Sequence, residues 1–276
     1  MPDSNLPQPS ASVILLKDSL DPKDPFVIFL LRRQGESRFM PNRYVFPGGR
    51  VEKRDGQDPM SAEALKICAL REMFEEAGVI LAQDPKKAAA MPPEARQAAR
   101  AALQAGETGL NEALESLGLA PDLNALTPYA RWITPAARNM RFDTVFYLAP
   151  APPEQEAESD RKETSAGLWL APQKALAQNL AGEVALAPPQ VRILGELSEY
   201  SSLEELLRRN RQKDLTPVRP FMWIKEGKRI VLLPHDPEYA QKAPSDPEAP
   251  GRPCPAGQAT RVVDKNGLWL PYRWPA

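Results

Sequence analysis

Two adjacent glycines followed by a glutamate-rich segment constrain this chain more than any other feature. Residues 46–49 read Phe-Pro-Gly-Gly, and residues 71–79 read Arg-Glu-Met-Phe-Glu-Glu-Ala-Gly-Val. In a helix, glutamates at i, i+3 and i+4 share one face about one turn long. Their repulsion would cost roughly 0.2–0.5 kcal/mol per pair, and a bound divalent cation would reverse its sign. The spacing therefore predicts a helix on which Glu72, Glu75 and Glu76 form a cation site.

The same stretch also predicts where this helix begins and ends. Asp58 followed by Pro59 is typical of an N-cap with proline at the first helical position, and Gly78 is typical of a left-handed C-terminal cap. The alternative is an ordinary amphipathic helix with a solvated acidic face, which the Phe-Pro-Gly-Gly lead-in disfavours. Apolar residues at 3, 4, 3 spacing predict a buried stripe opposite the acids: Ile67, Leu70, Phe74 and Ala77.

Composition and charge disfavour several functional classes. The 276 residues carry 35 basic and 36 acidic side chains, a net charge of −1, which gives no electrostatic footprint for nucleic acid or an anionic membrane. No secretory signal or membrane-spanning stretch is apparent, so we expect a cytoplasmic protein. Cys68 and Cys254 form no metal-ligand pattern. His235 is the one histidine, and without a Gly-x-Ser-x-Gly elbow it disfavours a serine or cysteine hydrolase.

Hydrophobic periodicity predicts an α/β domain with two additions. We expect residues 1–10 to be loose, residues 11–212 to form the main domain, and residues 84–125 to form a helical insert within it. Residues 213–276 read as a proline-rich extension that packs on the domain or on a second copy, because three of the five tryptophans lie there. Strands are predicted at 11–16, 26–31, 131–134, 144–148 and 167–170, and later helices at 172–178, 188–200 and 202–209.

The glycine and glutamate pattern resembles the Nudix box of the Nudix hydrolase family. The matching residues are Gly49, Glu63, Arg71, Glu72, Glu75, Glu76 and Gly78. The resemblance implies an α/β/α sandwich with a mixed sheet and a Mg²⁺ or Mn²⁺ site formed by the Gly49 carbonyl and the last three glutamates. It also implies that Arg71 orients these glutamates and that Arg71, Glu72 and Glu76 are catalytic. Thirteen residues separate Gly49 from Glu63, whereas the family usually has five, so the match requires an insertion of eight.

A second pattern is similar to one branch of this family. Residues 31–33 read Leu-Arg-Arg, and residues 39–49 read Phe-Met-Pro-Asn-Arg-Tyr-Val-Phe-Pro-Gly-Gly. They resemble the peroxisomal coenzyme A diphosphatases of animals and their bacterial relatives, which also carry an insert inside the box. That resemblance implies hydrolysis of coenzyme A or acyl-coenzyme A to 3′,5′-ADP and a 4′-phosphopantetheine compound. It leaves open whether a glutamate or the metal activates the attacking water.

Five residues are predicted to contact substrate. Arg141 lies in or beside the turn between two predicted strands, where a cation suits a pyrophosphate. Arg33 follows a strand, so a solvated edge is an equal alternative for it. The resemblance implies that Glu163 is a further acid near the metal, although an exposed glutamate before a strand is the plain alternative. The complete prediction is Arg33, Arg43, Phe46, Arg141 and Glu163.

Two other functions remain open at this stage. A Nudix pyrophosphatase that acts on NADH, ADP-ribose or dinucleoside polyphosphates would use the same box. A non-catalytic nucleotide-binding module would have less need of all three glutamates and Arg71, so the intact set disfavours it. The expected partner is a small nucleotide, without nucleic acid or membrane, and a homodimer is left open.

Overall fold

A mixed seven-stranded sheet forms the centre of the protein. The computed structural model describes residues 6–37, 39–211, 213–243 and 258–273. The main path of the sheet is β3-β2-β1-β6-β5, with β4 paired to β1 and β7 to β2. The pair β1–β6 is parallel and the other pairs are antiparallel. The strands are β1 (Gln8–Asp18), β2 (Phe26–Arg33), β3 (Tyr44–Val45), β4 (Gly48–Arg50), β5 (Thr127–Ile133), β6 (Phe142–Pro150) and β7 (Thr164–Leu170).

Helices cover both faces of this sheet, because β1 and β2 are apolar on both sides. Val13 and Leu15 face one core, which contains α1 to α4, and Ile14 and Leu16 face the other, which contains α5 to α7. The predicted α/β/α sandwich is therefore confirmed. The helices are α1 (Ala62–Ala77), α2 (Pro85–Ala89), α3 (Pro93–Gln104), α4 (Leu110–Ser116), α5 (Pro172–Ala181), α6 (Pro188–Leu197), α7 (Leu203–Asn210) and α8 (Tyr239–Lys242). Among the described residues, no helix is long and apolar enough to cross a membrane.

The glutamate-rich helix α1 begins later than predicted. It starts at Ala62 because the Ser61 hydroxyl accepts a hydrogen bond from the Ala64 amide, whereas Asp58 lies in the preceding turn. The predicted left-handed cap at Gly78 is confirmed, with a φ of 71°. The predicted apolar stripe is also confirmed as buried: Ile67, Leu70, Phe74 and Ala77.

The helical insert packs directly against α1. The prediction of two or three short helices is met by α2, α3 and α4, whose apolar residues join the core around α1. The α3 side chains Arg100 and Gln104 both donate hydrogen bonds to the Glu75 carbonyl, at 3.0 and 2.7 Å. The insert therefore covers one face of the sheet and also contacts the last turn of the glutamate-rich helix.

The C-terminal extension contains a second, four-stranded antiparallel sheet in the order β11-β10-β9-β8. The sequence indicated a single small hairpin there. Trp269 is buried in the core shared with α5 and α6, and Asn179 of α5 donates a hydrogen bond to its carbonyl. The tail thus packs on its own chain, while Trp274 and residues 244–257 lie outside the described residues. The strands are β8 (Phe221–Lys225), β9 (Lys228–Leu232), β10 (Arg261–Lys265) and β11 (Leu268–Tyr272).

The N-terminal prediction needs one correction. A loose stretch is predicted over residues 1–10, but β1 begins at Gln8 because the chain pairs there with the start of β6. Residues 1–5 lie outside the described residues. The Gln8 amide donates to the Arg141 carbonyl, and the Val51 amide donates to the Pro9 carbonyl. The bond from Val51 extends the pairing of β4, which carries the two box glycines, with β1.

Candidate active site

Two glutamates of α1 lie against the backbone of the glycine pair. The Gly48 amide donates a 2.9 Å hydrogen bond to Oε2 of Glu76. A Cβ atom at Gly49 would lie 2.3 Å from Oε1 of Glu72, so only glycine admits this approach. Strand β4 is held on β1, where Gly49 pairs with Ala11. The sheet thus fixes both glycines over the acidic face of α1.

The position of Glu72 is fixed by a buried arginine. The Arg71 side chain is 1% exposed, and its Nη1 donates to Oε1 of Glu72 at 2.8 Å. Its Nε and Nη2 donate to Oδ1 and Oδ2 of Asp55 at 2.8 and 2.9 Å. Burial opposes the charge of Arg71, but its hydrogen bonds to Asp55 and the charge of Glu72 outweigh that effect and raise the pKa of the guanidinium. Arg71 therefore holds the side chain of Glu72, and its burial makes it a positioning residue rather than one that touches substrate.

Asp55, rather than Glu63, occupies the place of the first acid of the motif. Five residues separate Gly49 from Asp55, so the eight extra residues follow this acid instead of preceding it. Glu63 is exposed in the first turn of α1, whereas the Asp55 side chain is fully buried. The assignment of Glu63 is therefore wrong. The five-residue spacing was a usable signal, although it required an aspartate to replace the expected glutamate.

Glu75 shares Nη1 of Arg71 with Glu72 and also contacts a second arginine. Its Oε1 accepts from Nη2 of Arg54 at 3.0 Å, and its Oε2 accepts from Nη1 of Arg71 at 3.1 Å. Within the described ranges, no three His, Cys, Asp or Glu side chains group closely enough to hold a metal ion together. The predicted three-carboxylate cluster is thus not matched, because arginines engage both oxygens of Glu75.

The carboxylates are more buried than an exposed acidic face would be, and burial raises their pKa values. Desolvation raises the pKa of Glu72 to about 7, against the opposing charge of Arg71. Burial, and then the charge of Glu72, raise the pKa of Glu76 well above its usual range. Burial also raises the pKa of Glu75. Two acids that resist ionisation together form a place where a cation is strongly favoured.

Comparison with known proteins agrees with this geometry. The NUDT19 Nudix domain matches residues 56–197, and the general NUDIX domain matches residues 6–100. Nudix hydrolase 7 of Caenorhabditis elegans is 33% identical over 212 residues, which cover 77% of this chain and 69% of that protein. This chain belongs to the Nudix hydrolase family. It is a Nudix pyrophosphohydrolase, and the glycines and α1 form its Nudix box.

Other similar proteins carry the name of the coenzyme A diphosphatase branch that the sequence resembles. The acyl-coenzyme A diphosphatase NUDT19 of Gallus gallus is 28% identical over 88% of this chain and 81% of its own length. The human protein of that name is 26% identical over 80% of this chain and 74% of its own length. The crystal structure of a NUDIX hydrolase from Alicyclobacillus acidocaldarius superposes with a TM-score of 0.60 and 26% identity, covering 72% of this chain and 95% of that one.

Two of the five predicted substrate residues act on the Nudix box electrostatically. The charge of Arg33 lowers the pKa of Glu76, opposing the larger effect of burial. The charge of Glu163 raises the pKa values of both Glu72 and Glu76. Glu163 is exposed just before β7, and its carbonyl accepts from the Gln34 amide. The charges of Arg33 and Glu163 therefore act on the buried carboxylates of the Nudix helix.

The other three predicted residues lie in different surroundings. Arg43 donates from Nη2 to the Gly267 carbonyl in the turn between β10 and β11. Phe46 is 2% exposed and packs edge-on against Phe146, in the core on the α5 to α7 side of the sheet. Its predicted substrate contact is therefore contradicted, because the ring is enclosed in that core. Arg141 lies just before β6 and donates from Nε to the Thr134 carbonyl at 3.0 Å.

Proposed function

We propose that this Nudix hydrolase cleaves the phosphoanhydride of coenzyme A or an acyl-coenzyme A. The products would be 3′,5′-ADP and a 4′-phosphopantetheine compound. The names of the Gallus gallus and human relatives support this substrate class. The Phe-Met-Pro-Asn segment before the glycines supports it as well.

The observation that carries hydrolysis is the approach of Glu72 and Glu76 to the glycine backbone. Among the described residues, each carboxylate accepts hydrogen bonds at one oxygen only, Oε1 of Glu72 and Oε2 of Glu76. The second oxygen of each, together with the Gly49 carbonyl, forms the hard donor set that Mg²⁺ and Mn²⁺ prefer. We therefore propose Gly49, Glu72 and Glu76 as metal ligands. When bound, the ion would neutralise phosphate charge and make a water easier to deprotonate.

The remaining residues of the site have separable roles in this proposal. Arg71 holds Glu72 in place through its paired bonds to Asp55. Arg33 lies close enough to influence Glu76 and would bind a phosphate of the substrate. Glu163 would be a further acid near the metal. Arg141 keeps its place in the proposal as a phosphate contact, on the loop before β6.

Product analysis by chromatography tests this proposal. The purified chain is incubated with Mn²⁺ or Mg²⁺ and separately with coenzyme A, an acyl-coenzyme A, NADH, ADP-ribose and diadenosine polyphosphates. We expect metal-dependent release of 3′,5′-ADP from the first two. Glu76→Gln is the control, because an amide oxygen can still accept the bond from the Gly48 amide but binds a cation poorly.

The outcomes separate the parts of the proposal. Cleavage of NADH, ADP-ribose or a dinucleoside polyphosphate in place of coenzyme A would keep the hydrolase and discard the substrate class. Equal activity of wild type and Glu76→Gln would discard the assigned ligands. Absence of turnover on the whole panel, with metal still bound, would favour a nucleotide-binding module.

Location and assembly are part of the proposal as well. We propose a cytoplasmic protein, from its balanced charge and composition. A homodimer would bury the apolar side chains exposed on the C-terminal sheet, such as Ile224 and Tyr272. Light scattering at several concentrations tests the assembly, and a constant monomer mass would contradict it.

A further inference from the structure

The Glu75 carboxylate is held from two sides by arginines. Arg71 holds Oε2 from within the Nudix helix, and Arg54 holds Oε1 from the segment between Gly49 and Asp55. The Glu75 carbonyl is held in addition by Arg100 and Gln104 of the helical insert. Hydrogen bonds therefore hold both the carboxylate and the backbone carbonyl of Glu75.

Arg54 is itself locked in place by the helical insert. Its Nη1 donates to the carbonyls of Leu103 and Thr108 at 2.8 and 2.7 Å. Its Nε donates to Oε2 of Glu52 at 2.8 Å. Its third nitrogen, Nη2, makes the bond to Glu75. All three guanidinium nitrogens are thus used, and the direction of the bond to Glu75 is set by the position of the insert.

We propose that Arg54 is a positioning residue that keeps Glu75 out of the coordination shell of the metal. This inference rests on the proposed metal site at Gly49, Glu72 and Glu76. Those two glutamates each keep one oxygen without a hydrogen bond from a described residue, whereas both oxygens of Glu75 are engaged. The part of the chain that the structure describes accordingly contains no group of three acidic side chains suited to one ion.

Removal of Arg54 should strengthen cation binding rather than weaken it. Loss of the guanidinium frees Oε1 of Glu75 to rotate toward the ion and supply another ligand. It also removes a positive charge near the site, which favours a divalent cation by Coulomb attraction. A purely structural role predicts the opposite, because a loosened box would hold its ligands less well.

Mn²⁺ binding to the full chain without substrate, followed by electron paramagnetic resonance, tests the sign. We expect Arg54→Ala to lower the dissociation constant on the order of tenfold, about 1.4 kcal/mol. The matched control is Arg96→Ala, since Arg96 is an arginine of the insert itself that donates to the Ala88 carbonyl and not to Glu75. We expect Arg96→Ala to bind Mn²⁺ like wild type. If Arg54→Ala does not fold, Arg54→Gln replaces it, because its amide can still donate to the insert carbonyls.

The Glu75→Gln background shows whether Arg54 acts through Glu75. There we expect removal of Arg54 to give a smaller gain, since no carboxylate is released. An equal gain in that background, or binding by Arg54→Ala that is unchanged or weaker, would overturn the inference.

Glu76→Gln reports on the metal site itself. If this variant binds Mn²⁺ as well as wild type, the proposed function fails and this inference with it. If Glu76→Gln loses binding while Arg54→Ala gains none, only the inference fails.

Discussion

Asp55 and Arg71 form a doubly hydrogen-bonded ion pair in the interior of the Nudix box. The bonds from Nε to Oδ1 and from Nη2 to Oδ2 measure 2.8 and 2.9 Å, and both side chains are at most 1% exposed. Asp55 also accepts a hydrogen bond from the Glu52 amide, which closes the turn after β4. This pair therefore connects the loop that bears the glycines to the helix that bears the carboxylates.

The first prediction compares Asp55 with Glu63, the two acids that could match the first acid of the motif. Asp55→Asn leaves the Arg71 charge with a weaker buried partner, so we expect a loss of roughly 3 kcal/mol in the free energy of unfolding. Glu63→Gln changes an exposed side chain and should cost less than about 0.5 kcal/mol. Urea unfolding measures both. A larger loss for Glu63→Gln than for Asp55→Asn would contradict the assignment.

The second prediction concerns the close approach of Gly49 to Glu72. In Gly49→Ala the new methyl group would lie 2.3 Å from Oε1 of Glu72, so that side chain has to move. A displacement of about 1 Å at a catalytic group costs on the order of 100-fold in kcat. We expect this loss of turnover with the fold retained, because the displaced atoms belong to a flexible side chain.

Gly195→Ala is the matched control for Gly49→Ala. Gly195 lies inside α6, and nothing would come within 4 Å of its added methyl group. The substitution should leave kcat unchanged and stabilise the helix by about 0.5–1 kcal/mol. Steady-state kinetics and thermal unfolding of the two variants provide the comparison, and a Gly49→Ala enzyme with wild-type kcat would exclude the proposed role of the contact.

The elements that the sequence predicted well are those defined by local periodicity. The strands around Val13 and Ile28 alternate or run as apolar stretches, and the stripe on α1 repeats at helical spacing, so neighbouring residues carry the signal. The start of α1 was missed because two cap-forming residues, Asp58 and Ser61, lie close together, and packing selects between them. The partners of Glu75 could not be predicted, since Arg54 approaches only when the box loop and the helical insert pack together. The burial of Phe46 could not be predicted either, since its ring meets Phe146 only when the segment between β3 and β4 packs against β6.

The third prediction separates two arginines that were both expected to bind substrate. Arg33 influences the pKa of Glu76, whereas Arg43 donates to the Gly267 carbonyl of the C-terminal sheet. Arg33→Ala should raise KM about tenfold by loss of a charged hydrogen bond to phosphate. Arg43→Ala should leave KM unchanged and lower the unfolding temperature. The reverse pattern in KM would show that the substrate reaches the C-terminal sheet instead.

The last prediction concerns the pH dependence of stability and of metal binding. Burial raises the pKa of Glu72 from 4.5 to about 7, so the metal-free native state retains a proton that the unfolded chain releases. The free energy of unfolding should therefore fall as pH rises from about 4.5 through about 7, and the raised pKa of Glu76 adds to this fall. A divalent cation competes with that proton and should raise the unfolding temperature more at pH 8 than at pH 6. Thermal unfolding at both pH values, with and without Mn²⁺, measures the difference, and Glu72→Gln should reduce it. An equal or larger effect of Mn²⁺ at pH 6 would show that the ion binds without displacing protons from these buried carboxylates.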